Sequence, residues 1–141
     1  MQTFIPFPDT QQSAACLDRQ RLGKQRVECL QLLNALTGES GWKHHPAVGM
    51  WRNYEGSLAG YGVTICDEWI SRGYKDTCRY KILAVAKSLP ISSFQTPDWW
   101  GLPELHLSHR SNLLRKFPEH YAQYFPDDPD DLPYIWPSPS L

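Results

Sequence analysis

Glu28 is the residue of this sequence best placed to act as a catalytic acid or base. It is the only acidic residue between Asp18 and Glu39, and the apolar spacing around it is that of a helix. It is preceded at seven, four and three residues by Arg21, Lys24 and Gln25, which puts all four on one helix face. An acid among cations stays ionised and can stabilise positive charge or exchange a proton. The alternative is an exposed Lys24–Glu28 helix pair without function.

Further basic residues indicate a site for an anion. They are Arg19 and Arg26 on the same helix, and Lys43, His44, His45 and Arg52 in and after the following connector. A His-His-Pro sequence at a helix start can direct N–H groups and imidazoles toward a phosphate, although a loop with one capping histidine explains it equally well. A zinc site is a weaker alternative, because no Cys or acid has metal-ligand spacing. It would comprise His44, His45, His106 and His109.

The sequence contains few other features that indicate a function. No GxSxG, Walker or GxGxxG motif is present. Trp99 and Trp100 lie in a proline-bounded loop, where they either stack on nucleic-acid bases or cover the core. We expect no metal and no cofactor.

The elements that position these residues are predicted to be helices. We expect an all-α single domain spanning 1–141, with about four helices, an extended N-terminal segment over 1–12 and a proline-rich tail over 126–141. Helical periodicity predicts a first helix over 13–37 and a second that begins at Pro46 and contains the apolar stripe 54–69. The third covers 78–89 and the fourth 105–116, with a helical turn after Pro118. The tail residues Tyr134, Ile135 and Trp136 are expected to dock onto the body. Gly60 and Gly62 indicate a kink or a close helix contact.

Composition excludes several classes of protein. The 141 residues, 41% hydrophobic and 21% charged, suit one globular domain. No apolar run approaches the ~20 residues of a membrane span and no secretory signal is recognisable, so we expect a cytoplasmic protein with its four cysteines reduced and mostly buried. The net charge is only −1, but residues 19–116 hold all 14 basic residues against eight acidic ones. That body can bind an anion, whereas four acids lie at 127–131.

Several segments together resemble the pyrimidine-dimer DNA glycosylases of the phage type and their bacterial and archaeal relatives. In chain order they are 17–22 (LDRQRL) with 28–30 (ECL), 41–48 (GWKHHPAV), 72–77 (RGYKDT) and 106–124. The resemblance extends over nearly the whole chain, and it is the order of the segments rather than any single one that carries it.

The resemblance implies an all-α fold and a bifunctional DNA glycosylase and AP lyase of base excision repair. In the implied reaction an α-amine at the chain start attacks C1′ of a damaged pyrimidine nucleotide, the base leaves as an imine forms, and β-elimination cuts the strand. The matching residues are Met1 for the amine and Glu28 for an essential glutamate. An α-amine, with an ordinary pKa of about 7.7–8.0, is about a tenth neutral at pH 7, whereas lysine is almost wholly protonated.

Double-stranded DNA is the implied partner, bound by a monomer. Phosphate contacts are assigned to Arg19, Arg21, Lys24 and Arg26, and the rim of the pocket to Lys43, His44, His45 and Arg52. The chain departs from the phage pattern in its near-neutral charge, in Val27 and Gln31 at positions of phosphate-binding arginines, and in Gln2, whose size blocks removal of Met1. Two other functions therefore stay open: a non-catalytic nucleic-acid-binding module of the same fold, and an enzyme acting on a free nucleoside or nucleotide.

Overall fold

Every regular element in the described part of the chain is a helix, and these helices outnumber the four expected. The computed structural model describes residues 1–38 and 44–137, and these contain seven α-helices and no strand. The helices are α1 (Thr10–Cys16), α2 (Arg19–Thr37), α3 (Pro46–Trp51), α4 (Glu55–Ser71), α5 (Arg79–Ala86), α6 (Pro103–Lys116) and α7 (Pro118–Tyr121), with a 3₁₀ turn at Ile91–Phe94. The all-α prediction is confirmed. The number four was too low because α1, α3 and α7 have seven residues or fewer, too few for a clear apolar repeat.

The helix predicted over 13–37 is in fact two helices. The backbone of Leu17 is extended, with φ −67° and ψ 136°, so α1 ends before it. Asp18 then caps α2, because its carboxylate accepts the N–H of Arg21 at 3.4 Å and so satisfies a donor of the first turn. The helix that carries Glu28 therefore starts at Arg19.

Helices α2 and α4 pack closely at two glycines. A Cβ atom on Gly62 of α4 would lie 3.1 Å from the Cβ atom of Cys29 on α2. A Cβ atom on Gly23 of α2 would lie 3.0 Å from the ring of Trp69 on α4. The close contact predicted at Gly62 is confirmed, and the absence of side chains at these glycines lets α2 lie directly on the buried face of α4.

The cysteines are buried as predicted. Cys16, Cys29, Cys66 and Cys78 are all free thiols. Burial raises the pKa of Cys16 and of Cys66 to about 12, so these thiols stay protonated and are poor nucleophiles. Within the described ranges, no helix has the length and hydropathy needed to cross a bilayer.

The N-terminal segment is extended over residues 1–9 rather than the expected 1–12, because α1 begins at Thr10. Its residues 3–6 are buried, and side chains satisfy much of its backbone. The Ile5 N–H donates to Nδ1 of His109 at 3.0 Å, and Nδ1 of His106 donates to the Ile5 carbonyl at 2.8 Å. Further along, the Ser13 hydroxyl accepts the Phe7 N–H at 3.0 Å and donates to the Phe7 carbonyl at 2.9 Å. These bonds replace those of a neighbouring strand and hold the chain start in one place.

The tail docks onto the N-terminal segment and α6, as predicted for its aromatic residues. The Tyr134 hydroxyl donates to the Thr3 carbonyl, and the Tyr134 ring stacks on His109 with centroids 4.3 Å apart. The Trp136 ring lies 4.4 Å from that of Tyr134, and the Ile135 carbonyl lies 3.4 Å from Nε2 of His109. The first residues of the chain are therefore held by the tail as well as by α2.

Candidate active site beside the first residues of the chain

Glu28 contacts the start of the chain rather than the next helix turn. Its Oε2 atom accepts the backbone N–H of Gln2 at 2.8 Å, and only 8% of the residue is exposed. Five ion pairs join described residues, and none of them includes Glu28, Lys24 or the Met1 amine. The exposed Lys24–Glu28 pair considered above is therefore absent, and a mostly buried carboxylate lies against residue 2.

Gln25 lies one helix turn before Glu28 and holds the same stretch of backbone. Its Nε2 atom donates to the Gln2 carbonyl at 2.8 Å, and its Oε1 atom accepts the Phe4 N–H at 2.7 Å. Side chains of α2 therefore bind both backbone groups of Gln2, because Glu28 accepts its N–H and Gln25 donates to its carbonyl. The position of Met1 relative to α2 is consequently set by two side chains of that helix.

A concavity of about 150 Å³ opens between α2 and the chain start. It is lined by Met1, Gln2, Phe4, Gln20, Arg21, Lys24, Gln25, Glu28 and Lys116. The amine-bearing residue and the carboxylate of the sequence prediction thus share one opening. Arg21 and Lys24 reach it from the same helix face as Glu28, as their spacing predicts.

Positive charge dominates this concavity. Its basic side chains, here called the rim cations, are Arg21, Lys24 and Lys116, and they face a single carboxylate. Arg21 is held in place by Asp18, whose Oδ1 atom lies 3.2 Å from Nη1 of Arg21. Burial opposes ionisation of Asp18, but hydrogen bonds from Tyr121 and Arg21 outweigh it and lower the pKa of that carboxyl. Lys24 and Lys116 are exposed and available to a polyanion.

His45 lies near the α-amine and caps α3. Its Nδ1 atom accepts the N–H of Ala47 at 3.0 Å, and its ring meets that of Trp136 edge-on, with centroids 5.8 Å apart. Burial lowers the pKa of His45, and the positive charge of the Met1 amine lowers it further. The neutral imidazole is therefore favoured beside the amine.

A protein-family model described as pyrimidine dimer DNA glycosylase matches residues 1–82, more than half of the chain. The chain belongs to the pyrimidine dimer DNA glycosylase family. Among curated proteins and solved structures no significant match exists. A general function in the glycosylase repair of damaged DNA follows from this membership.

The part that matches the glycosylase family contains most of the concavity. Residues 1–82 include the N-terminal segment, α1 to α4 and the first half of α5. The matched range excludes Lys116, the tail and the segment 106–124, on which part of the resemblance rests. The contribution of α6 to the concavity is therefore a finding of the structure alone.

Arg26 is not brought to the concavity of this glycosylase-family chain. Its Nη1 atom lies 2.5 Å from Oδ1 of Asp76, in a pair whose side chains are 14% and 2% exposed, and its guanidinium lies 4.4 Å from the centroid of the Trp69 ring. Asp76 also accepts the N–H groups of Cys78 and Arg79 at 3.1 and 2.8 Å. Asp76 of the RGYKDT motif thus lies just before α5 and joins the start of that helix to α2, which is a structural role.

Arg19, His44 and Arg52 do not line the concavity. Arg19 is exposed at the start of α2, and His44 and Arg52 are exposed before and after α3. Lys43 lies outside the described residues. The prediction that these residues touch phosphate stays a prediction.

The other two candidate motifs have packing roles. Trp99 is 3% exposed and donates its indole N–H to the Met50 carbonyl at 2.9 Å, while Trp100 donates to the Pro8 carbonyl at 2.9 Å. His106 and His109 hold Ile5 between them. In the described ranges, no three His, Cys, Asp or Glu side chains are grouped as a metal would need.

Five lining residues were not predicted as site residues: Gln2, Phe4, Gln20, Gln25 and Lys116. The spacing of three residues had placed Gln25 on the face of Glu28, although no role was assigned to it. Gln20 lies eight residues before Glu28, and helical spacing could have placed it near the same face. Lys116 lies on α6, and no local pattern connects it to α2.

Proposed function

We propose that this chain is a DNA N-glycosylase and AP lyase that removes a damaged or modified pyrimidine from double-stranded DNA through an imine on the Met1 α-amine. The observation that carries the proposal is the hydrogen bond between Glu28 and the backbone of Gln2 inside a cationic concavity. It holds a carboxylate next to the residue that bears the amine. Membership of the glycosylase family supports the same reaction class.

In the proposed reaction the α-amine nitrogen forms a bond to C1′, and the bond from C1′ to the base breaks. The base leaves with the electron pair and takes up a proton. Glu28 accepts a proton from the attacking amine and returns one to O4′ as the sugar ring opens to the imine. Removal of a C2′ proton then expels the 3′ phosphate, which cuts the strand, and hydrolysis of the imine restores the amine.

The rim cations are proposed to grip the DNA backbone at the damaged nucleotide. Extruding a nucleotide from the duplex costs a few kcal/mol, which phosphate contacts on both sides offset. Arg21 and Lys24 project from α2 and Lys116 from α6, so that cations approach the concavity from two helices. Arg19, His44, His45 and Arg52 would extend this contact, and Arg26 is left out because Asp76 pairs with it.

Borohydride trapping of Glu28→Gln tests this proposal. Glutamine keeps an acceptor for the Gln2 N–H but cannot carry protons, so base release and covalent trapping on a lesion-bearing duplex should fall at least a hundredfold, with the affinity for DNA within about twofold. Glu119→Gln, an exposed acid on α7, serves as the matched control and should trap like the parent.

The alternative functions give different results in the same assay. A parent protein that binds the duplex but never forms an adduct is a non-catalytic nucleic-acid-binding module. A parent protein that cleaves free nucleosides or nucleotides and has no salt-dependent affinity for DNA is instead an enzyme of free nucleosides or nucleotides. Full trapping by Glu28→Gln would refute the role of the carboxylate.

A further inference from the structure

Gln25 makes an unusual pair of hydrogen bonds for a helical side chain. Gln25 is 2% exposed, and its carboxamide donates to the carbonyl of Gln2 and accepts the N–H of Phe4. One residue of a neighbouring parallel β-strand binds the carbonyl of residue i and the N–H of residue i+2 in the same way. In the described part of the chain no strand exists, so this one side chain takes the place of a strand partner.

The two bonds fix the backbone at the point where the amine must be aimed. Gln2 is held at its carbonyl by Gln25 and at its N–H by Glu28. Only the bonds of residues 1 and 2 remain between this fixed point and the α-amine. A displacement of the Gln2 backbone therefore moves the amine relative to the carboxylate.

We propose that Gln25 is a positioning residue that sets the place of the Met1 amine relative to Glu28. This inference rests on the proposed function. Gln25 touches neither substrate nor the reacting atoms, and acts through the backbone of Gln2. A carboxamide suits the role because it offers one donor and one acceptor, whereas a carboxylate offers two acceptors and an aliphatic side chain offers neither.

Two substitutions separate the halves of this contact. Gln25→Glu keeps an acceptor for the Phe4 N–H but loses the donor to the Gln2 carbonyl, and Gln25→Ala loses both. Ser13→Ala is the control for stability, since it removes an equivalent buried pair of bonds to Phe7, farther along the same segment. Gln12→Ala, at an exposed position of α1, is the control for residue type.

The rate of borohydride trapping is measured on a duplex with one abasic site, and affinity on a duplex carrying tetrahydrofuran, an analogue that cannot form an imine. Misplacing a reacting group by about 1 Å lowers rates about a hundredfold. We therefore expect trapping to slow tenfold or more in both Gln25 variants, affinity to change less than twofold, and both controls to trap at the parent rate. Thermal unfolding of each variant and amide hydrogen exchange at Phe4 complete the set, with faster exchange expected in Gln25→Ala.

Each contrary outcome has a separate meaning. If the parent forms no adduct, the proposed function fails and this inference with it. If the parent reacts and the Gln25 variants react equally fast, only the positioning role is refuted. Equal losses of rate and of melting temperature in Gln25→Ala and Ser13→Ala would show a merely structural role. Unchanged exchange at Phe4 would show that the contact is not made in solution.

Discussion

Removing Lys24 and Lys116 together should flatten the salt dependence of DNA binding. Both side chains are exposed and line the concavity, and they come from different helices, so a backbone that passes over the opening meets both. Each phosphate contact contributes about 0.9 to the slope of log affinity against log salt. The double alanine variant should therefore lose about 1.8 from that slope.

This change is large enough to measure by fluorescence anisotropy with a labelled duplex. Between 50 and 200 mM salt, a slope difference of about 1.8 makes the affinity of the parent fall about twelvefold more than that of the variant. The control is the double alanine variant of Lys81 and Lys87, which are exposed on or just after α5 and should keep the parent slope. Equal slopes in all three proteins would refute the assignment of the concavity to phosphate binding.

Two further predictions concern the framework that supports the site. His109 accepts the Ile5 N–H only when neutral, and burial lowers its pKa to about 3 from an ordinary 6.5, so the stability it contributes is complete above pH 6.5 and is lost as the pH falls toward 3. In urea unfolding, protonation of His109 should lower the free energy of unfolding of the parent by about 2 kcal/mol between pH 7 and pH 5. The His109→Gln variant should lack this loss. The same pH dependence of stability in both proteins would contradict the prediction. Asp76→Asn leaves the mostly buried Arg26 unpaired and should lower the free energy of unfolding by about 3 kcal/mol. Asp67→Asn breaks an exposed pair and should lower it by less than about 1 kcal/mol. Equal effects of the two substitutions would show that the Arg26 pair is not needed for stability.

Local patterns predicted much of the fold and one half of the site. The spacing of Arg21, Lys24 and Glu28 placed them on one face because a helix brings residues three to four apart together. The start of α3 at Pro46 followed from the same kind of local rule. The break between α1 and α2 was missed because the helical periodicity continues across Leu17 and Asp18, and the cap that interrupts it is visible only in the backbone.

The other half of the site depends on tertiary contacts that no local pattern encodes. Arg26 carries the same charge as Arg21 and lies five residues away, yet it faces Asp76, fifty residues later in the chain. In the sequence Gln25 is an ordinary polar helix residue, because its contact with the N-terminal segment exists only in the folded chain. Lys116 reaches the concavity only because of how α6 packs.

The most direct test of the account is to locate the covalent bond in the trapped complex. The parent protein is reduced with borohydride on a lesion-bearing duplex, digested with nuclease and protease, and analysed by mass spectrometry. The account predicts that the sugar remnant is attached to the α-amine of the N-terminal peptide that begins with Met1. Attachment to the side-chain amine of Lys24 or Lys116 would contradict it, because the reacting nitrogen would then be one that Glu28 and Gln25 do not position.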